Sequence, residues 1–307
     1  MKKVNSLILC LFPAAISFSQ QKISVSAGTI DFYEAFESDF VDPRNISVWK
    51  PENYGAHKRY AVLYMHDGQM LFDSTITWNK QEWGVDETMQ ELLVEGKIND
   101  CIVVGIWNNG EKRYQEYFPA KPFFMIAEND RKTMMEVAGS NNRLMPESGP
   151  ASDEYLKFIV RELKPFIDAR YSVHYDKQHT FIAGSSMGGL ISMYALCEYP
   201  KVFGGAACLS THWPGVFQQN DIIPGAFLKY MEKNLPSLKN HKLYFDFGTQ
   251  TLDSLYEKHQ LKVDALIQKK KYVKKNLLSK KYTGEDHSEK AWAKRLHIPL
   301  EFLLSEN

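Results

Sequence analysis

The sequence predicts an α/β fold, a mostly parallel central sheet with helices on both faces. Three observations lead there. From residue 60 onward, short apolar runs alternate with helical segments, the pattern that joins parallel strands through right-handed crossovers. Two of those runs, 60–65 and 101–106, are apolar almost without interruption, as strands buried on both faces are. A strand, a tight glycine-flanked turn and a helix succeed one another around Gly184-Ser185-Ser186-Met187-Gly188.

The chain has 307 residues, of which 44% are hydrophobic and 13% aromatic, enough for a large core and a normal length for one α/β domain. Lys+Arg and Asp+Glu are equal at 37, which argues against a nucleic-acid surface or a polybasic membrane patch. Lys2 and Lys3 open a basic stretch, 7–18 is apolar, and Ser17-Phe18-Ser19 offers small residues at a cleavage position. This pattern predicts a cleavable signal peptide over 1–19 and one domain over 20–307, secreted or periplasmic, with no membrane anchor. After cleavage Cys101, Cys197 and Cys208 remain, an odd number in apolar surroundings, and they are expected as buried free thiols. No Cys/His spacing suggests a metal.

In chain order, 28–36 and 46–50 read as two strands, too close together for a helical crossover and therefore antiparallel. The buried strand 60–65 ends in His66-Asp67-Gly68-Gln69. Helical spacing follows over 83–98, then the strand 101–106. The segment 107–150 is long and rich in Gly, Pro and Asn, and connections of that length are uncommon unless functional or disordered. It is expected to hang over the carboxyl ends of the strands as a mobile lid, weakly pinned from 139 to 151. An amphipathic helix spans 154–168, with Tyr155, Phe158, Ile159, Leu163 and Phe166 on one face. After the strand–turn–helix at 180–198, strands are expected at 203–210, 242–247 and 276–282, with helices at 255–271 and 289–304.

The turn at 184–188 fits G-x-S-x-G. In that pattern a serine sits at the tip of a strained strand-to-helix turn, and the flanking glycines keep Cβ atoms out of the corner. Ser186 is therefore the candidate nucleophile. The helix behind it points free backbone N–H groups at the place where negative charge would develop.

Four blocks, residues 63–73, 162–168, 184–190 and 286–289 with Trp292, give the chain its resemblance. It resembles the esterase D family of α/β-hydrolases, which includes enterobactin-type siderophore esterases, feruloyl and acetyl carbohydrate esterases and a group of acyltransferases. The likeness spans nearly the whole mature chain and implies a serine esterase without a metal or organic cofactor. Its substrate would be a small-molecule or glycan ester, such as an acylated carbohydrate, an aryl ester or a siderophore ester. Acyl transfer on the same residues and a non-catalytic binding protein on this scaffold are the alternatives. One block departs from the fuller pattern: His66-Asp67-Gly68 stands where many relatives have His-Gly, which leaves the second oxyanion donor open.

In this fold the triad runs Ser, Asp or Glu, His along the chain. The base belongs in the loop after the last strand, where His287 lies; His212 is the competitor. The acid belongs after the penultimate strand, which favours Asp253 over Asp246, inside the strand. Asp286 adjoins His287 and would diverge from it, and Glu289 is expected to brace the loop or cap the closing helix. The oxyanion donors implied are the N–H groups of Met187 and Gln69. Trp78, Trp83, Trp107, Tyr114, Tyr117 and Trp213 lie on candidate specificity loops, with Trp213 the favoured substrate ring. Arg113 is expected to meet an anionic substrate or to pair with Glu116.

Overall fold

A computed structural model describes residues 23–139, 145–270 and 274–305. The signal peptide expected over 1–19 and residues 140–144 of the expected lid lie outside them. Eight strands are present among the described residues: β1 (Thr29–Phe36), β2 (Arg44–Lys50), β3 (Ala61–His66), β4 (Cys101–Ile106), β5 (Thr180–Ser185), β6 (Gly205–Leu209), β7 (Lys242–Gly248) and β8 (Leu277–Tyr282). They form one sheet in the order β1-β2-β4-β3-β5-β6-β7-β8. The pairs β1/β2 and β2/β4 are antiparallel, and every other neighbouring pair is parallel. From β3 to β8 the strands therefore share one direction, and their carboxyl ends form a single edge.

Alternation along the strands sends side chains to two separate cores. In β3, Val62 and Tyr64 enter one, while Ala61, Leu63 and Met65 enter the other. The first core lies under α7 (Met187–Glu198), the helix directly behind the serine, which is buried nearly all round. The second is closed by α1 (Val85–Val94) and by two short closing helices. Cys101, Cys197 and Cys208 are buried free thiols, as expected.

Two predicted helices change form for reasons that lie in proline chemistry. The helix expected over 154–168 is α5 (Ser152–Phe158), a π-turn (Ile159–Leu163) and α6 (Lys164–Arg170). Pro165 has no N–H and its ring crowds the carbonyl four residues back, so the helix widens there. The closing helix breaks into α10 (Glu289–Ala293) and α11 (His297–Leu304), with Pro299 in the first turn of the second piece. The helix α8 (Ile222–Asn234) was not among the elements expected from the sequence; Pro224 lies in its first turn, where proline is tolerated. The remaining crossover helix, α9 (Glu257–Lys269), stands where a helix was predicted.

The segment 107–150 is corrected most. Up to residue 139 it is not an open loop but three helices, α2 (Arg113–Tyr117), α3 (Ala120–Phe124) and α4 (Glu128–Gly139). Tyr117, Phe118 and Phe123 sink into the first core. A buried ion pair, Arg44 Nη2 to Glu116 Oε1 at 2.7 Å, ties α2 to β2. Glu116 is thereby taken by Arg44 rather than by Arg113.

Candidate active site

Ser186 follows β5 directly and holds φ 59°, ψ −120°, a conformation that costs a non-glycine residue about 1–3 kcal/mol. Gly184 permits it, because a Cβ there would lie 2.9 Å from the Gly188 backbone. The need is one-sided: a Cβ on Gly188 would meet His66 Cβ at an ordinary 3.5 Å. The turn is fastened from beneath by Ser186 N–H donating to Leu209 O (2.9 Å) and His212 N–H donating to Ser186 O (3.2 Å). Ser186 is 7% exposed, at the amino end of α7, whose first amides have no partner within the helix. Met187 occupies the first helical position.

Asp253 lies in a 3₁₀ turn after β7, and His287 in the loop after β8. Those two loops are knitted together: the Thr249 and Gln250 amides both donate to Glu285 O, and His287 N–H donates to Thr251 Oγ1. His287 Nδ1 and Asp253 Oδ1 are 2.5 Å apart. A carboxylate only accepts, so Nδ1 is the donor in this bond, and in the neutral imidazole Nε2 keeps its lone pair. The other carboxylate oxygen of Asp253 accepts from Ser210 Oγ (2.6 Å) and from the Gly248 amide (2.5 Å). Asp253 is wholly buried, whereas the His287 side chain is 14% exposed. Trp292 stands edge-on to the His287 ring at 5.0 Å and donates its indole N–H to Ser210 Oγ (3.0 Å).

The competing residues are engaged elsewhere. Asp246 is bound to Arg295, Oδ2 to Nε at 3.1 Å, and accepts from Tyr244 Oη and the Ser210 amide. His212 is buried, with Nδ1 on Tyr256 Oη at 2.8 Å. Asp286 accepts from Ser288 Oγ, not from His287. Glu289 accepts from Asn79 Nδ2 (2.8 Å) and braces the loop before α1 against the His287 loop, while Ser288 supplies the cap of α10.

On the other flank, Gly68, Gln69 and Met70 make a 3₁₀ turn at the end of β3. A Cβ on Gly68 would lie 2.6 Å from the Gly105 backbone, so only glycine lets the turn press onto β4. The Gln69 side chain accepts from the Asn108 amide (3.2 Å). Asp67 is left-handed (φ 58°, ψ 46°), and its Oδ2 lies 3.6 Å from where a Gly188 Cβ would be, so this loop lies against the start of α7. Arg113 grips the Asp67 carboxylate with Nε and Nη2, each at 2.7 Å, and Asn108 Nδ2 adds a third donor at 2.7 Å. Burial opposes ionisation of Asp67, but Arg113 and Asn108 outweigh it and hold the carboxyl below its ordinary value. Beside it, burial pushes the His66 imidazole down to about 3; its Nδ1 meets Tyr155 Oη.

Of the rings expected on specificity loops, most are packing. Trp213 is 1% exposed and donates its indole N–H to Gln260 Oε1 (2.9 Å) with Phe245 against it, so it belongs to the core and not to a substrate surface. Tyr114, Tyr117 and Trp83 are also buried; Trp78 is 84% exposed. Sequence reasoning missed Ser210, whose hydroxyl joins Asp253, Trp292 and Arg295, and Asp67 as the partner of Arg113. It also missed a cluster of possible metal ligands, His174, Asp176 and His179, which lies at the amino end of β5, away from the serine. Among the described residues, four of the six non-glycine residues with positive φ are Asp67, Ser186, Ser210 and Thr251, all at this site, where backbone strain commonly gathers.

A family model described as "Putative esterase" matches residues 38–300. This chain belongs to that esterase family. It is 25% identical over 172 residues to "Uncharacterized protein YbbA" of Bacillus subtilis, covering 55% of this chain and 58% of the relative. Its structure is similar to a ferulic acid esterase at a TM-score of 0.64 and 18% identity, covering 91% of this chain and 98% of the other. It is similar also to the enterobactin esterase of Shigella flexneri at a TM-score of 0.66 and 13% identity, covering 92% of this chain and 60% of that one. The chain thus spans 58% of the length of YbbA and 60% of the Shigella enzyme. With the parallel sheet and the serine turn, these likenesses establish the α/β-hydrolase fold. No helix among the described residues is long and apolar enough to cross a membrane.

Proposed function

We propose that this esterase hydrolyses carboxylic esters through Ser186, His287 and Asp253, by way of an acyl-enzyme. The observation that supports the reading is the 2.5 Å bond between His287 Nδ1 and Asp253, made by two loops at the strand edge that also carries Ser186, which in the neutral imidazole reserves Nε2 for the serine. His287 Nε2 takes the Ser186 proton as the hydroxyl attacks the ester carbonyl, and Asp253 stabilises the imidazolium that results. The oxyanion falls to the Met187 amide and to an amide of the 68–69 turn. One such donor is worth about 3 kcal/mol of barrier. Protonated His287 then releases the alcohol, and water repeats the sequence to free the acid. Residues 1–19 direct the chain out of the cytoplasm.

For the substrate, the likeness to a ferulic acid esterase and to an enterobactin esterase favours an aryl ester, on either a carbohydrate or a siderophore. The test is turnover of p-nitrophenyl acetate, followed by a panel of feruloyl-sugar, acetyl-xylan and catecholate esters. Ser186→Ala is expected to lose about 10⁶-fold in rate with the fold intact. A variant retaining a few per cent of wild-type turnover overturns the assignment. Faster release of p-nitrophenol with added alcohols would turn the reading toward acyl transfer.

A further inference from the structure

Asp67 sets a problem for ester hydrolysis. Its carboxylate lies beside the first turn of α7, close to the amides that must receive an oxyanion, and a bare negative charge there would work against them. It is 8% exposed, so water screens it little. Yet it cannot simply be dispensed with, because it is the hub of the turn. Asp67 donates its own N–H to Tyr117 Oη (3.3 Å) and accepts from Asn108, and Asn108 N–H in turn donates to Gln69 Oε1. On the side of the turn facing β4, Gly68 is pressed flat against Gly105; the Asp67 carboxylate, through Asn108 and Arg113, ties the turn to the segment after β4.

We propose that Arg113 is a positioning residue for this reaction: its two-pronged grip on Asp67 fixes the 68–69 amides and cancels the carboxylate charge beside the oxyanion. The inference rests on the serine-esterase reading above. Three features fit it. The two bonds are parallel and equal at 2.7 Å, the geometry in which a guanidinium restrains a carboxylate in orientation as well as in charge. The guanidinium lies 4.9 Å from the centre of the Tyr117 ring, which is fully buried, so it is held from below. Burial works against its charge, but Asp67 more than offsets this, and the arginine is more firmly protonated than usual. Arg113 therefore has its carboxylate within the protein and is not a receptor for an anionic substrate. The helix that carries it is anchored by Glu116 to Arg44 of β2, so the arginine that grips Asp67 stands on an element tied to the sheet.

The test uses p-nitrophenyl acetate, a substrate too small to reach the rim. Arg113→Ala is expected to lower kcat about 10²-fold, the usual cost of one misplaced oxyanion donor, with KM changed less than about threefold. Added guanidinium should restore part of kcat, and Arg113→Lys should fall between the two, since lysine supplies charge without the fork. Asp67→Asn combined with Arg113→Ala removes the uncompensated charge and should turn over faster than Arg113→Ala alone. That double variant buries no unpaired ion, so it also covers the case in which the single variant fails to fold. A kcat for Arg113→Ala within threefold of wild type, or a double variant no faster than it, overturns the inference while leaving the serine reading intact. Loss through KM alone overturns it too. If wild type shows no turnover dependent on Ser186, both readings fall together.

Discussion

On the β7–β8 side of the site Asp253 is held by neutral donors, Ser210 Oγ and the Gly248 amide, with His287 on its remaining edge; on the β3–β4 side Asp67 is gripped by the full charge of Arg113. Both carboxylates are buried within one catalytic edge. The difference is in what each charge is for. Neutral hydrogen bonds orient the Asp253 carboxylate without pairing its charge, which in the proposed reaction leaves that charge for the His287 ring 2.5 Å away. A guanidinium spends the charge of Asp67 and leaves an oriented, electrically quiet brace. Asp246, on the same strand as the approach to Asp253, belongs with Asp67, because Arg295 takes it from two directions.

The largest contrast is expected between the two acids of β7 and its loop. Asp253→Asn is expected to lower turnover about 10⁴-fold, since the amide favours the wrong histidine tautomer, with little change in melting temperature. Asp246→Asn should do the opposite. It leaves Arg295 buried without its counter-charge, at a cost of about 3 kcal/mol in stability, while the folded fraction keeps turnover within about tenfold. Paired melting curves and rates on both variants check this, and the reverse ranking would move the acid to Asp246.

A smaller effect sharpens the β3–β4 side. His66 is neutral in the folded protein, its imidazole pushed from 6.5 to about 3 by burial. Between those values the unfolded chain binds a proton that the folded chain refuses, so stability rises with pH. The contribution is fully present above about 6.5 and is lost as pH falls toward 3. Compared with His66→Asn, wild type should therefore lose up to ~1.4 kcal/mol per pH unit from about pH 6 to about pH 4. Urea midpoints for both proteins across that range measure it; parallel curves would mean that His66 titrates as it does in water.

The smallest effect falls outside both walls. Trp213→Phe should cost about 1–2 kcal/mol through the lost bond to Gln260 and leave the ratio of aryl to alkyl ester turnover unchanged. A selective loss on aryl esters would return Trp213 to the substrate surface.

What the sequence made legible follows the same division. Ser186 announces itself because its chemistry is local: the strand, the two glycines and the helix occupy one stretch. Asp253 and His287 could be chosen because their loops follow consecutive strands, so strand order alone brings them together. Arg113 could not be read correctly. Glu116, three residues on, was the visible partner, but a buried Arg44 claims it, and the true partner is Asp67, 46 residues back. Trp213 misled for a similar reason: it follows β6 at the catalytic edge, and only packing shows that its ring turns inward. In 107–150, abundant Gly, Pro and Asn masked three short helices, the first two of which are held by aromatic anchors in the core rather than announced by periodicity.

The most direct test of the central claim is covalent labelling of the nucleophile with diethyl p-nitrophenyl phosphate, followed by intact-mass and peptide analysis. The phosphate ester traps a serine only where a base activates it and an oxyanion pocket receives the charge. One diethylphosphoryl group per chain is expected, on Ser186, with labelling abolished in Ser186→Ala and greatly slowed in Asp253→Asn. An adduct on another residue, or labelling equally fast without the Asp253 carboxylate, would contradict the assignment of Ser186, His287 and Asp253.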